Sequence, residues 1–412
     1  MCDEGGELNS PTGLPIELIC HIVAFVDGSD DDDEYEDRYS IDYRALTLAS
    51  CSLVCKAWSN IARAHIFGSF TIDYNNFESR LSFLHFTAPH LGGYVIQLTI
   101  SGDNNKNTDL SPPQWTPEAF SLFSNLRSLS FHHVTGEWSS LPTPLARGFA
   151  TLLTTSSLRK VCLRWWNFGT DTEGLQNMLS LCSTTLKDLT LVYVDCNGEP
   201  RADALPHVSS LINMKALSNL RLVCVHHPRL VTALVECPNL KSMTADIDDG
   251  QLLVPLAVED LRLIINSRTQ IPKFQSTARL STLGIKRITP PTTLSNIHAW
   301  MNACINKIPH PSLITHLVIE LSHDRAVAEY PELADYKAFS ASLARLRNRG
   351  GFQQISVSIM VYTHDVSPAA YAPHQTREVE KLKDGFASIL GPGVDVRLYV
   401  QGSWSVLMDC RV

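Results

Sequence analysis

A short hydrophobic pattern recurs along most of this chain. From about residue 90 onward, several segments place apolar side chains at positions 1, 4 and 6. NLRSLSFHHV carries Leu126, Leu129 and Phe131, and SLRKVCLRWW carries Leu158, Val161 and Leu163. TLKDLTLVYV gives Leu186, Leu189 and Leu191, and NLRLVCVHH gives Leu220, Val223 and Val225. NLKSMTADI follows with the weaker Leu240, Met243 and Ala245, and VEDLRLIIN with Val258, Leu261 and Leu263. RLSTLGIKRI and LITHLVIEL supply Leu280, Leu283 and Ile285, then Ile314, Leu317 and Ile319. Alternation over the last three positions predicts a short strand with one buried face. Helical spacing intervenes over 145–153, 175–182, 230–235, 300–308, 336–346 and 379–390. QQISVSIMVY and VDVRLYVQ read as two further strands near the end.

Strand–helix units at this spacing resemble leucine-rich repeats, which implies an α/β fold: an irregular solenoid with its strands side by side. The first positions, 126, 158, 186, 220, 240, 258 and 280, lie 32, 28, 34, 20, 18 and 22 residues apart. The Asn or Cys of that family at position 9 is replaced by Val134, Val194 and Ile288, and only Asn266 conforms. A compact α/β domain with the same alternation is the competing architecture. Irregular periods favour it, and the recurring "NL+xLxL" segments favour the array.

The first seventy residues follow a different rhythm. LPIELICHIVAFV places Leu18, Ile19, Ile22, Val23 and Val26 at helical spacing, with Pro15 at a first-turn position and Glu17 complementing the helix dipole. A second helical pattern, DYRALTLASCSLVCKAWSNIARAHIF, has one stripe of Leu46, Ala49, Leu53, Ala57 and Ile61, widened by Val54, Trp58 and Ala62. So small a module cannot cover such wide stripes alone. It either docks on the rest of the chain or offers an apolar face to a partner.

The pairing of Leu14-Pro15-x-Glu17-Leu18-Ile19 with Ser52-Leu53-Val54-Cys55-Lys56-Ala57-Trp58 resembles the F-box, in particular its fungal F-box-like forms. The likeness covers residues 14 to about 66, with a lengthened loop between its helices. It implies a substrate-recognition subunit of a cullin–RING ubiquitin ligase, of the SCF type. The F-box would bind a Skp-family adaptor, and the repeat-like region an unknown target protein. By position, Leu14, Pro15, Ile19, Leu53, Val54 and Trp58 are the implied adaptor contacts, and apolar anchors of this kind dominate interfaces. The implied organisation is a disordered stretch over 1–12, an F-box-like module over 13–70 with an acidic insertion at 27–41, and an interaction domain over 71–412. A protein-binding scaffold outside any ligase, or an enzyme with its site at the strand ends, are the rival functions.

Charge sharpens this outline. The chain has 412 residues and a formal net charge of −8. Residues 27–37 contain eight acids and no base, which equals that whole surplus. A run of repelling acids reads as a solvated loop. The balanced remainder argues against a nucleic-acid binder, which needs a basic surface. The eleven cysteines are an odd number scattered through apolar stretches, so reduced thiols in the cytoplasm or nucleus are expected. No basic–apolar leader and no apolar run of about 20 residues is present, so neither secretion nor a membrane is expected.

Catalytic motifs are absent: no phosphate loop, no GxGxxG after a strand, no HExxH and no GxSxG. Cys224, His226, His227 and Cys237 have no zinc-ligand spacing. Asp246, Asp248 and Asp249 precede Gly250 like a calcium loop, but Val254-Pro255-Leu256-Ala257 stands where the far acid belongs. His132-His133 reads as a strand end, and Cys55 beside Lys56 as a packed residue. The expectation is a non-enzyme with no cofactor and no metal.

Overall fold

The computed structural model describes residues 16–27, 46–102, 112–134, 138–168, 172–182, 184–194, 214–225, 234, 237–246, 253–254, 257–265, 273–274, 279–287, 306–307, 313–324, 354–363 and 394–402. The chain forms two compact units, Met1–Leu186 with Cys196–Pro200, and Lys187–Asp195 with Arg201–Val412. Both are mixed α/β.

Unit 1 opens with helices α1 (Ile16–Asp27), α2 (residues 46–52) and α3 (Lys56–Ile66). The second helical pattern therefore does not run through. It breaks at 53–55, where Leu53 N–H and Val54 N–H close a turn on the carbonyls of Ser50 and Cys51. Cys55 is extended there, and α3 starts afresh after it. The break rephases the helix. Ile19, Val23, Leu48 and Trp58 form the core, whereas Leu46 and Leu53 of the expected stripe lie outside.

Four parallel strands follow: β1 (Ser69–Asp73), β2 (Gln97–Ser101), β3 (Ser128–His132) and β4 (Lys160–Arg164). Each pairs with the next in chain order, and positions stay in phase, as in Leu98↔Leu129↔Val161. Helices α4 (Phe77–Ser82), α5 (Thr116–Ser121), α6 (Thr143–Leu153) and α7 (Thr172–Leu181) lie between or after them. Aromatic rings fill the space under the sheet. Phe120 meets Phe77 and Phe149 at 6.1 and 6.0 Å, and Phe131 meets Phe149 and Trp166 at 4.9 and 5.1 Å. The exposed edge of β1 is blunted by Arg80 of α4, whose guanidinium donates to the Thr71 carbonyl at 2.7 Å and lies over the Phe70 ring. That contact occupies a carbonyl that a foreign strand would otherwise use.

Unit 2 holds β5 (Asp188–Val192), β6 (Asn219–Val223), β7 (Ser242–Asp246), β8 (Leu253–Val254), β9 (Asp260–Ile265), β10 (Lys273–Phe274), β11 (Thr282–Arg287), β12 (His316–Asp324), β13 (Gln354–Thr363) and β14 (Val394–Gly402). The short β8 and β10 pair with each other, and the remaining eight run parallel in chain order. The buried rows are aliphatic: Leu189 and Leu191, Met243 and Ala245, Leu261 and Leu263, Leu283 and Ile285, Leu317 and Ile319.

One register differs from the sequence expectation. On β6 the buried set is Leu217, Leu220 and Leu222, so Leu220 occupies position 4, not position 1. Val223, the last residue of β6, is buried on the opposite face with Val192 and Ile264, and Val225 continues its period of two, which hides the phase. Strands β1 and β2 were not anticipated. The expected helices at 145–153 and 175–182 correspond to α6 and α7; those at 230–235, 300–308, 336–346 and 379–390 lie wholly or mostly outside the described residues.

The "NL" of the recurring segment has a structural cause. Asn125 Nδ2 donates to the Gly93 carbonyl at 2.7 Å, and Asn239 Nδ2 to that of Lys215 at 2.6 Å. Each amide ties its own strand entry to the turn of the strand–helix unit before it. The following Leu then enters the core, Leu126 and Leu240 being fully buried.

Candidate partner-binding surface

The six residues implied by the F-box likeness divide three ways. Leu14 and Pro15 lie outside the described residues. Ile19 is 0% exposed and Trp58 is buried beside it, packed with Val23 and Leu48. They hold α1, α2 and α3 together and present little surface. Leu53 and Val54 do the opposite. They sit on the turn between α2 and α3 with 86% and 54% of their surface open.

The turn explains their exposure. In the last turn of α2 the Ser50 and Ser52 hydroxyls fold back onto the carbonyls of Leu46 and Ala49 at 2.9 and 2.6 Å, the second satisfying a carbonyl at the helix end. The chain then reverses in three residues, too few to turn Leu53 and Val54 back under the helices. Leu46 at 67%, and Ile16 and Leu18 of α1, are exposed too. Five large apolar side chains on so small a module are unusual, because single exposed apolar residues are common but groups of them mark binding sites. The periodicity places Leu46 and Leu53 on one apolar stripe without deciding whether it faces the chain or a partner, and the break at 53–55 has no Gly or Pro to announce it.

The second surface is the strand face opposite the core. In unit 1 it bears Ser128, Ser130 and His132 on β3, and Lys160, Cys162 and Arg164 on β4. Arg164 lies back along its strand, its Nε donating to Cys162 Sγ at 3.3 Å. Burial, then the charges of Arg164 and His133, lower the His132 pKa from 6.5 to about 4, so this imidazole is neutral at physiological pH. Immediately after the strands, His133 and Trp165 stack with ring centroids 5.8 Å apart, and Trp165 is 48% exposed.

In unit 2 the same face combines charges of both signs with a buried apolar cluster of Val192, Val223 and Ile264. Asp188 accepts a hydrogen bond from Asn219, Asp260 faces Arg262 at 3.7 Å, and Cys224 Sγ donates to the Asp246 carboxylate at 3.2 Å. The zinc and calcium alternatives gain nothing here. Cys237 is buried before β7, His226, His227, Asp248 and Asp249 lie outside the described residues, and no group of three metal-ligating side chains occurs among those described. Among the same residues no helix is long and apolar enough to cross a membrane.

No protein-family model matches the chain, and no curated protein matches it.

Proposed function

We propose that this protein is a substrate-recognition subunit of a cullin–RING ubiquitin ligase, its helical module docking a Skp-family adaptor and its strand array holding a target protein. The observation that carries the reading is the exposure of Leu53 and Val54 on the α2–α3 turn, beside Leu46, Ile16 and Leu18. The two motif halves of the F-box likeness supply the adaptor's identity. Covering Leu53 and Val54 would contribute about 1.5–3 kcal/mol each, enough to anchor a partner. Ile19 and Trp58 then act indirectly, by holding α1 against α3.

Strand order supports an array of leucine-rich-repeat type over a doubly wound sheet. Within each unit the long described strands pair in chain order and in phase, whereas a doubly wound sheet reverses its order part-way. An array offers a long side-chain face for a target, and such a subunit acts by raising the target's effective concentration near the ligase, without chemistry of its own.

Pull-down of a Skp-family adaptor by the full chain tests this. Leu53→Asp with Val54→Asp should abolish capture while changing the melting temperature little, because Leu53 is mostly and Val54 half in water. Ile19→Asp should abolish capture by unfolding the module. Adaptor binding that survives the double Asp change, or none by the parent chain, would sink the proposal. Adaptor binding without a cullin would leave a scaffold outside the ligase.

A further inference from the structure

The helix side of unit 1 carries a group of open rings that neither adaptor docking nor the strand face uses. After α4 the chain makes one π-helical turn, Phe83–Thr87, closed by Ala88 N–H donating to the Phe83 carbonyl at 2.9 Å. Such turns are rare and concentrate at functional sites. Here the wide turn sets two consecutive rings against one indole. His85 stacks flat on Trp115, with centroids 5.3 Å apart and planes 3° apart, and Phe86 makes a T-shaped contact with the same indole at 5.2 Å. The group is not sealed from water. Phe86 is 64% and Phe83 45% exposed, and Trp115 is only partly buried.

The ring nitrogens of this group are donors in want of acceptors. His85 Nδ1 is buried and unbonded. A buried lone pair costs less than a buried N–H, which puts the ring proton on Nε2. His85 Nε2 and the Trp115 indole nitrogen remain open to solvent, and neither bonds to a described residue. The rings therefore offer apolar faces and N–H donors, with no accessible acceptor of their own. Charge is sparse around them. Histidines aside, the charged side chains on Phe77–Tyr94 and on α5 are Glu78, Arg80 and Glu118. The Arg80 guanidinium is already held on the Thr71 carbonyl.

We propose that this surface binds a proline-rich segment of a partner protein. Such a segment is the chemical counterpart of the rings. Its carbonyls accept hydrogen bonds, its prolines have no N–H to donate, and its pyrrolidine rings lie against aromatic faces. It is extended before it binds, so little ordering cost opposes a small contact. Size points the same way. Phe83, Phe86 and Trp115 together expose roughly 300 Å², against about 800 Å² per partner in a stable interface between folded proteins. A second copy of this chain is therefore not the occupant. Open rings also suit unpaired bases, but that mode needs a cationic groove. Here Arg80 is engaged elsewhere, and Glu118 lies one turn beyond Trp115. The proposal does not depend on the ligase reading; it adds a second contact with a partner, on the helix side.

The test is fluorescence anisotropy on the full chain with three labelled probes: dodecaproline, a Gly/Ser dodecapeptide and an oligothymidine of the same length. Dodecaproline should bind and the two controls should not. Phe86→Ser should weaken binding about tenfold, and His85→Phe, which keeps a ring and removes its donor, about fivefold. In both variants the melting temperature should hold within about 2 °C or rise. Phe86 is mostly in water, and His85→Phe removes a buried nitrogen that has no partner. Failure of dodecaproline to bind, equal binding of either control, or unchanged affinity in either variant would each overturn the proposal. So would a melting temperature about 5 °C lower in Phe86→Ser, the mark of a ring that serves packing alone. Adaptor pull-down on the same preparations is decided separately, because it reads Leu53 and Val54.

Discussion

His132 shows how one side chain can set a pH limit. Its folded pKa is about 4, against 6.5 ordinarily, with burial as the leading cause. As pH falls through 6.5 the unfolded chain takes up the proton before the folded one, so stability is full above that value and is lost progressively toward pH 4. The melting temperature should fall across this window, and less steeply in His132→Gln; parallel curves would refute the assignment. The thiols divide by burial in the same way. Burial pushes Cys182 up to about 12, which leaves it a protonated, unreactive thiol, whereas Cys20 on α1 is exposed. Iodoacetamide at mildly alkaline pH should therefore modify Cys20 on the native protein and Cys182 only after denaturation, read by peptide mass spectrometry. Early modification of Cys182 would mean that α7 opens readily.

At the scale of elements, α5 and α6 pack closely at Gly148. A Cβ added at Gly148 would meet Phe120 Cδ2 at 2.4 Å and Cε2 at 2.9 Å. Alanine there would gain about 1 kcal/mol in helix propensity but incur about 1–3 kcal/mol of overpacking. Gly148→Ala should thus lower stability by about 1 kcal/mol in a denaturant titration, the reverse of what an unpacked helix would show. The sequence makes strands legible wherever a buried residue stands three before an alternating pair, because that spacing fixes both entry turn and face. It misleads on β6, where Leu220, Leu222, Val223 and Val225 satisfy two phases and only the more distant Leu217 decides between them. β2 carries the same spacing in Val95, Leu98 and Ile100, opened by a valine, whereas β1 buries only Ile72 and has no such pattern to read. On the helical module the motif residues are legible but their exposure is not: Leu53 faces water because of a three-residue turn without a marker residue.

The whole molecule consists of two units built on the same strand pairing but filled differently, one with aromatic rings, the other with aliphatic side chains. Unfolding should not be two-state. In guanidinium, near-ultraviolet circular dichroism, dominated by the stacked rings around Trp166, should change at a different midpoint from the far-ultraviolet signal; coincident curves would show a single cooperative block. Chain-order pairing also has a mechanical consequence. The outermost strands, β1 and β14, are each held by one neighbour only, and that neighbour is an adjacent segment of the chain. Under tension between the ends of a unit, strands should peel off one at a time and not rupture together. Each peeling step would release the chain between successive entry residues. Between Leu158 and Leu186 that is 28 residues, and between Leu240 and Val258 it is 18, or about 100 and 65 Å of extended chain. A stretched molecule would record the uneven spacing of its strands as a series of unequal steps.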